Sequence, residues 1–309
     1  MNILLIGGGG FLGLNIAKAL VADGHIVHIA DLNVCASNML KDIEGIHGVH
    51  QIDCANLVNV LNHIRHFQID CVINLASNLI PSSSCEAYNT EQANFVVPAF
   101  QLLNELAEEG VKYIYFSSGG AVYGSSNQKL VSESSPKNPI SYYGLSKSLF
   151  EELILFSSRT KGLNYLIVRP SNPFGPFQSP SKKQGLIAVA VDKMKKNQPI
   201  EIWGDGSVVR DYIWVEDLAR AIANLIAKNH WNETYNLGSG AGHSINEVLE
   251  TIQSLLSTNS KIIYTSSRSE DVSRIVLDIH KLQSDISFNP IGLKEGISMY
   301  LNSIGTISN

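Results

Sequence analysis

Short apolar runs punctuate the first 170 residues, and most are followed by a longer stretch whose apolar positions recur at helical spacing. Ile3–Ile6, Ile26–Ala30, Cys71–Leu75, Tyr113–Ser117 and Tyr165–Arg169 are almost continuously apolar, the pattern of strands buried on both faces. Gly13–Ala22, Leu57–Phe67, Asn94–Glu109 and Tyr143–Lys161 read as the helices between them. Such alternation predicts an α/β fold, a doubly wound parallel sheet with helices on both faces. The chain shows neither an internal repeat nor a low-complexity segment.

The pattern changes after Arg169. Pro170, Pro173, Pro176 and Pro180 lead the chain out of the sheet through an irregular loop. Helices are then predicted at Leu186–Lys196, Val215–Lys228 and Ile245–Leu256, with a strand at Thr234–Leu237 and a polar tail at the end. Residues 171–309 are read as a smaller, interleaved lobe that caps the carboxyl edge of a sheet built by 1–170, with some segments returning to it; ligands of open α/β folds bind at that edge.

Composition narrows the function. Lys and Arg total 23 against 28 Asp and Glu, a net charge of −5, so no polybasic surface for nucleic acid or anionic membrane is expected. No run of about 18 apolar residues suggests a membrane span, and no basic stretch precedes the first strand. Cys35, Cys54, Cys71 and Cys85 are spaced for neither a zinc clip nor a disulfide framework. A cytoplasmic protein with reduced thiols is the expectation.

Candidate chemistry starts at the first turn. Gly7-Gly-Gly-Gly-Phe-Leu-Gly13 lies directly between a strand and a helix. Glycines at 7, 10 and 13 permit a tight turn, close approach of backbone to a pyrophosphate, and helix–strand packing, while the helix N-terminus offers free N–H groups to the anion. Asp31 ends the second strand, where a carboxylate accepts from both ribose hydroxyls and repels a 2′-phosphate; no Arg or Lys occurs in the next five residues. NAD is therefore favoured over NADP. Further along, Tyr143-Gly-Leu-Ser-Lys147 places a phenol and an ammonium one turn apart on one helix face. A neighbouring positive charge favours the phenolate, which would make Tyr143 a general base for an alcohol being oxidised.

With these residues in place the chain resembles the extended short-chain dehydrogenase/reductase family, in its nucleotide-sugar branch, and is most similar to the UDP-hexose 4-epimerases. The resemblance runs nearly end to end. It includes Asp53, Asn74-Leu-Ala-Ser77, Asn94, Phe116-Ser-Ser-Gly-Gly-Ala-Val-Tyr-Gly124, Arg169-Pro-Ser-Asn172, Trp203-Gly-Asp-Gly206, Arg210-Asp-Tyr-Ile-Trp-Val-Glu-Asp217 and Arg268-Ser-Glu-Asp271. The resemblance implies that Gly7, Gly10, Phe11, Leu12, Gly13, Asp31, Asn33, Asp53, Cys54, Leu75, Ala76, Ser77, Asn94, Ser117, Tyr143, Lys147 and Pro170 hold NAD. It implies that Asn172, Arg210 and Arg268 grip a substrate diphosphate, with Asp271 near the ribose and Trp203 and Tyr212 near the base. Tyr143 would take the carbon-4 hydroxyl proton, and a homodimer joined through the Asn94–Glu109 and Tyr143–Lys161 helices is implied as well. A role in surface polysaccharide synthesis would follow.

Two departures matter. Relatives place a catalytic Ser or Thr four residues before the equivalent of Tyr123; here that residue is Gly119, and Ser118 is the expected substitute, with Ser117 structural or touching the nicotinamide. Dehydratase relatives carry an acidic pair where this chain has Gly120 and Ala121, so elimination lacks its proton handler. A nucleotide-sugar 4-ketoreductase, a dehydratase-type relative and a non-catalytic NAD-binding regulator are the alternative readings. Ile275 stands where residue size separates hexose-only from N-acetyl-accepting epimerases, and leaves both open. His47/His50 and His63/His66 have i, i+3 spacing but no evident third ligand, and no metal is expected.

Overall fold

The computed structural model describes residues 1–32, 45–126, 128–180, 185–266 and 272–305. Strands β1 (Asn2–Ile6), β2 (Ile26–Asp31), β3 (Ile46–Gln51), β4 (Cys71–Asn74), β5 (Lys112–Phe116) and β6 (Tyr165–Pro170) come from the first half of the chain. The second half supplies β7 (Asn172–Phe174), β8 (Ile200–Trp203), β9 (Val209–Trp214), β10 (Glu233–Leu237), β11 (Gly242–Ser244), β12 (Ile262–Thr265) and β13 (Arg274–Ile275). Seven of these form one parallel sheet in the order β10-β6-β5-β4-β1-β2-β3. The order reverses between β1 and β4, where Ile6 lies opposite Asn74, and a crevice opens at the carboxyl ends of these two strands.

Helices cover both faces. They are α1 (Phe11–Ala22), α2 (Leu57–His66), α3 (Cys85–Glu91), α4 (Val97–Glu108), α5 (Tyr142–Lys161), α6 (Leu186–Lys195), α7 (Val215–Ala227), α8 (Ile245–Leu256), α9 (His280–Ile286) and α10 (Leu293–Ser303). Alternation along the strands divides the apolar side chains. Ile3, Leu5, Val27 and Ile29 face α1 and α7, while Leu4, Ile6 and Ala30 face α2, α4 and α5. A third core, built from α6, α8, α10 and the strands between them, belongs to the smaller lobe. That lobe interleaves with the sheet: β10 extends it beside β6, and α7 packs on α1.

The predicted strands and helices are present with bounds shifted by one to three residues; the stretch Gln92–Val96 before α4 is a π-helix. Several elements lie outside the prediction, among them α3, β3 and most short strands of the smaller lobe. The polar tail holds β12, β13 and two helices, and α10 buries Leu293, Ile297, Tyr300 and Leu301, an i, i+4, i+7, i+8 stripe diluted by the polar residues around it. The edge strand β3 lacks an apolar signature because it is only half covered, and His and Gly occupy several of its positions.

Candidate active site

The turn after β1 is built around backbone that a side chain would obstruct. Gly7 has φ +74°, and a Cβ there would come 3.1 Å from the Ala76 nitrogen; at Gly13 it would strike the Gly8 carbonyl, so the first turn of α1 lies against the loop. The helix starts at Gly10 with no side-chain cap, leaving Phe11, Leu12 and Gly13 to present backbone N–H groups. Asp31 ties down the other side by accepting from the Gly9 N–H at 3.0 Å. A cavity of about 820 Å³ opens here, and its lining brings together Gly7, Gly10, Asp31, Asp53, Cys54, Leu75, Ala76, Ser77 and Asn94. Burial pushes the Cys54 thiol up to about 11, so it lines this cavity as a neutral group. Asn33 lies outside the described residues.

A glycine cradle, an uncapped helix N-terminus and a carboxylate at the end of β2 fit a dinucleotide with a free ribose 2′-hydroxyl. Asn74, at the end of β4, donates to the Tyr113 hydroxyl at 2.6 Å and accepts from the Ala76 N–H at 3.1 Å, which shapes the turn through Leu75, Ala76 and Ser77. Glu91, at the end of α3, is a functional neighbour that sequence reasoning missed. Its buried carboxylate accepts from the Ser77 hydroxyl at 3.3 Å, and its charge opposes the fall in the Lys147 pKa. No motif marks it; the packing of α3 against α5 brings it beside Ser77.

Tyr143 and Lys147 lie in the first two turns of α5. Ser141 caps this helix, accepting from the Gly144 N–H at 3.1 Å, and Gly162 ends it at φ +74°. The Lys147 ammonium is buried, donates to the Phe116 carbonyl at 2.7 Å, and sits 5.8 Å from the Tyr143 ring. Burial lowers its pKa to about 8. Burial raises the Tyr143 phenol, and a hydrogen bond with Ser118 works against that rise. Desolvation is the larger of the two influences and leaves the phenol above the ordinary tyrosine value.

Ser118 is the neighbouring hydroxyl that offsets the desolvation of Tyr143. Gly119 could not carry one in its place: a Cβ there would lie 2.6 Å from a Leu277 methyl and 3.0 Å from the Arg169 carbonyl. The Gly119 N–H donates to the Pro170 carbonyl at 2.8 Å, which binds the loop after β5 to the end of β6. Ser117 is buried and its hydroxyl donates to Glu151 at 2.5 Å. Glu151 also receives both nitrogens of the Arg169 fork, at 2.9 and 2.7 Å, and Lys137 at 3.0 Å. Burial pushes the Glu151 carboxyl up, but these donors outweigh it and hold the group ionised. Glu151 lies one turn beyond Lys147 on α5, so the network fixes the helix against the ends of β5 and β6.

The smaller lobe forms a second cavity, of about 390 Å³, and Asn172, Trp203, Arg210 and Tyr212 all line it. Strand alternation explains the spacing. Arg210 and Tyr212 point into the cavity, while Asp211 turns inward to accept from the Ser239 and Leu277 N–H groups at 2.8 and 3.2 Å. The Asn172 amide donates to the Asp211 carbonyl at 2.8 Å. Ile187, Glu201 and Ile245 line further walls that no motif indicated. Ile275 is buried in the core and pairs in register with Arg210. Arg268 and Asp271 lie outside the described residues.

A dinucleotide crevice at the switch point, a Ser–Tyr–Lys group at the end of the adjacent strand and an arginine-bearing cavity in the second lobe define an NAD-dependent enzyme of the short-chain dehydrogenase/reductase type. Comparison with known proteins agrees. The model of the NAD dependent epimerase/dehydratase family matches residues 3–238, and the chain belongs to that family. A putative UDP-glucose 4-epimerase of Methanocaldococcus jannaschii is 36% identical over 302 residues, 97% of each chain. Among solved structures, a UDP-glucose 4-epimerase of Thermotoga maritima with UDP-glucose superposes with a TM-score of 0.90 at 27% identity, covering 99% of both chains. That of Thermus thermophilus in complex with NAD gives 0.88 at 26%, covering 99% of this chain and 100% of the other. Relatives also include nucleotide-sugar dehydratases and a reductase.

Proposed function

We propose that this enzyme interconverts the carbon-4 epimers of a UDP-hexose, glucose/galactose or their N-acetyl forms, through a transient 4-keto sugar. The observation that carries the reading is the Ser118–Tyr143–Lys147 group combined with Gly120 and Ala121, which offer no acid for elimination. The UDP-glucose in the Thermotoga neighbour and the 36% identity to an epimerase support it.

Bound NAD⁺ supplies a hydride acceptor at carbon 4 and, on return, the donor. Tyr143 removes the carbon-4 hydroxyl proton and later gives it back. Ser118 holds the phenol by a hydrogen bond, and the Lys147 ammonium, fixed by the Phe116 carbonyl, favours its ionised form. Arg210 and Asn172, joined by Arg268, grip the diphosphate, and Trp203 and Tyr212 flank the base, so the sugar is held through its nucleotide and is free to present either face. The exposed Leu145, Leu149 and Phe156 of α5 and Val97 of α4 are the surface through which two copies pair.

Incubation with UDP-glucose or UDP-N-acetylglucosamine, without added reductant, should give a mixture of carbon-4 isomers. Stoichiometric NADH consumption with a deoxy product would instead assign a reductase. Tyr143→Phe should lower turnover by at least a thousandfold while NAD still co-purifies; a wild-type rate would remove Tyr143 as the base.

A further inference from the structure

Sequence spacing pairs His47 with His50 and His63 with His66 and leaves each pair short of a ligand. The fold supplies one from a different strand. His28 on β2 lies opposite Gly48 of β3, and Ala30 lies opposite His50, so the side chains of His28 and His50 leave the same face of the sheet. His63 meets them from α2, the helix that covers that face. The His50 and His63 ring centres are 4.2 Å apart, and His28 lies 5.9 and 5.8 Å from them. One ring nitrogen from each of the three falls within 4.8 Å of the others.

One ring nitrogen of each of the three is without a hydrogen-bond partner among the described residues. Nδ1 of His28 and Nε2 of both His50 and His63 are buried without a hydrogen-bond partner, and His28 is only 1% exposed. Burying one such nitrogen unpaired is costly, and three at one point need a common explanation. Gly48 makes room for the arrangement, since a Cβ there would strike the His50 Nε2. Phe67 closes it with ring centres 4.5 Å from His28 and His63 and 5.2 Å from His50.

We propose that His28, His50 and His63 bind one divalent transition-metal ion of the zinc class, which clamps the edge strand β3 to β2 and α2. Three imidazoles select Zn²⁺, Co²⁺, Ni²⁺ or Cu²⁺ and not Mg²⁺ or Ca²⁺, which require oxygen. Bonds of about 2.0–2.1 Å would draw the nitrogens closer by ring rotations. Burial holds His28 and His63 down to about 4, with neighbouring imidazoles adding to the effect, so both are neutral at pH 7 with lone pairs available. The site is separate from Tyr143 and is tested without reference to turnover.

Tag-free, chelator-treated protein is titrated with Co²⁺, following its visible ligand-field absorption, and then with Zn²⁺. The expected result is a tetrahedral-type band that saturates at one Co²⁺ per chain, disappears when Zn²⁺ is added, and is indifferent to Mg²⁺. His50→Gln and His63→Gln should each weaken Co²⁺ binding at least tenfold, whereas His66→Gln should bind as wild type does. Absence of a saturable band in the wild-type protein overturns the proposal even if the variants fold poorly. An undiminished band in His63→Gln overturns it equally.

Discussion

Gly119 shows how a single missing atom reshapes a catalytic group. The neighbouring Leu277 is fully buried and fills the space a side chain at 119 would need, and Ser118 is the proposed source of the hydroxyl that assists Tyr143. Gly119→Thr should therefore destabilise the protein by about 1–3 kcal/mol through overpacking, read as a lower denaturant midpoint, and Leu277→Ala in the same chain should recover part of the loss. A neutral Gly119→Thr would contradict this packing. Lys147 gives a pH signature at the same scale. Its folded pKa of about 8 lies below its unfolded value, so between these values the unfolded chain binds the extra proton and stability rises with pH. Lys147→Met should remove that contribution, and the stability difference between variant and wild type should narrow as pH climbs through 8 towards the ordinary lysine range. A difference independent of pH would mean that Lys147 is not desolvated.

At the scale of elements, α5 is the part on which the proposed chemistry depends. Its start is set by Ser141 and its end by Gly162, and twenty residues of helix carry Tyr143, Lys147 and Glu151 on successive turns of one side. Ser141→Ala removes the cap and should cost about 1 kcal/mol. Because Tyr143 lies next to the frayed turn, kcat should fall more than KM rises; an unchanged kcat would show that packing alone holds the phenol. Both the cap and the Tyr–Lys spacing are legible in the sequence. The Glu151–Arg169–Ser117 network is not, because its partners come from three elements and no local rule links them.

At the scale of the molecule, Leu145, Leu149 and Phe156 form an exposed apolar stripe along α5, at 43, 39 and 48% exposure, on a helix whose opposite side is buried. The proposed pairing of two copies through this stripe predicts a dimer by light scattering. Leu149→Glu together with Phe156→Glu should shift it to a monomer with an intact circular-dichroism spectrum, and a wild-type monomer would remove the interface. Within the described residues no helix is long and apolar enough to cross a membrane.

The chain by itself determined the parallel sheet, the glycine cradle, Asp31, the Tyr143–Lys147 pair and the family. Each of these rests on a local period or a contiguous motif, which backbone geometry converts directly into structure. Tertiary structure alone decided that Leu277 closes the space beside Gly119, that Glu91 stands beside Ser77, that the closing segment carries two helices, and that His28 joins His50 and His63. Those outcomes depend on which side chains occupy the same few ångströms after distant segments pack, and sequence spacing carries no record of that competition for volume.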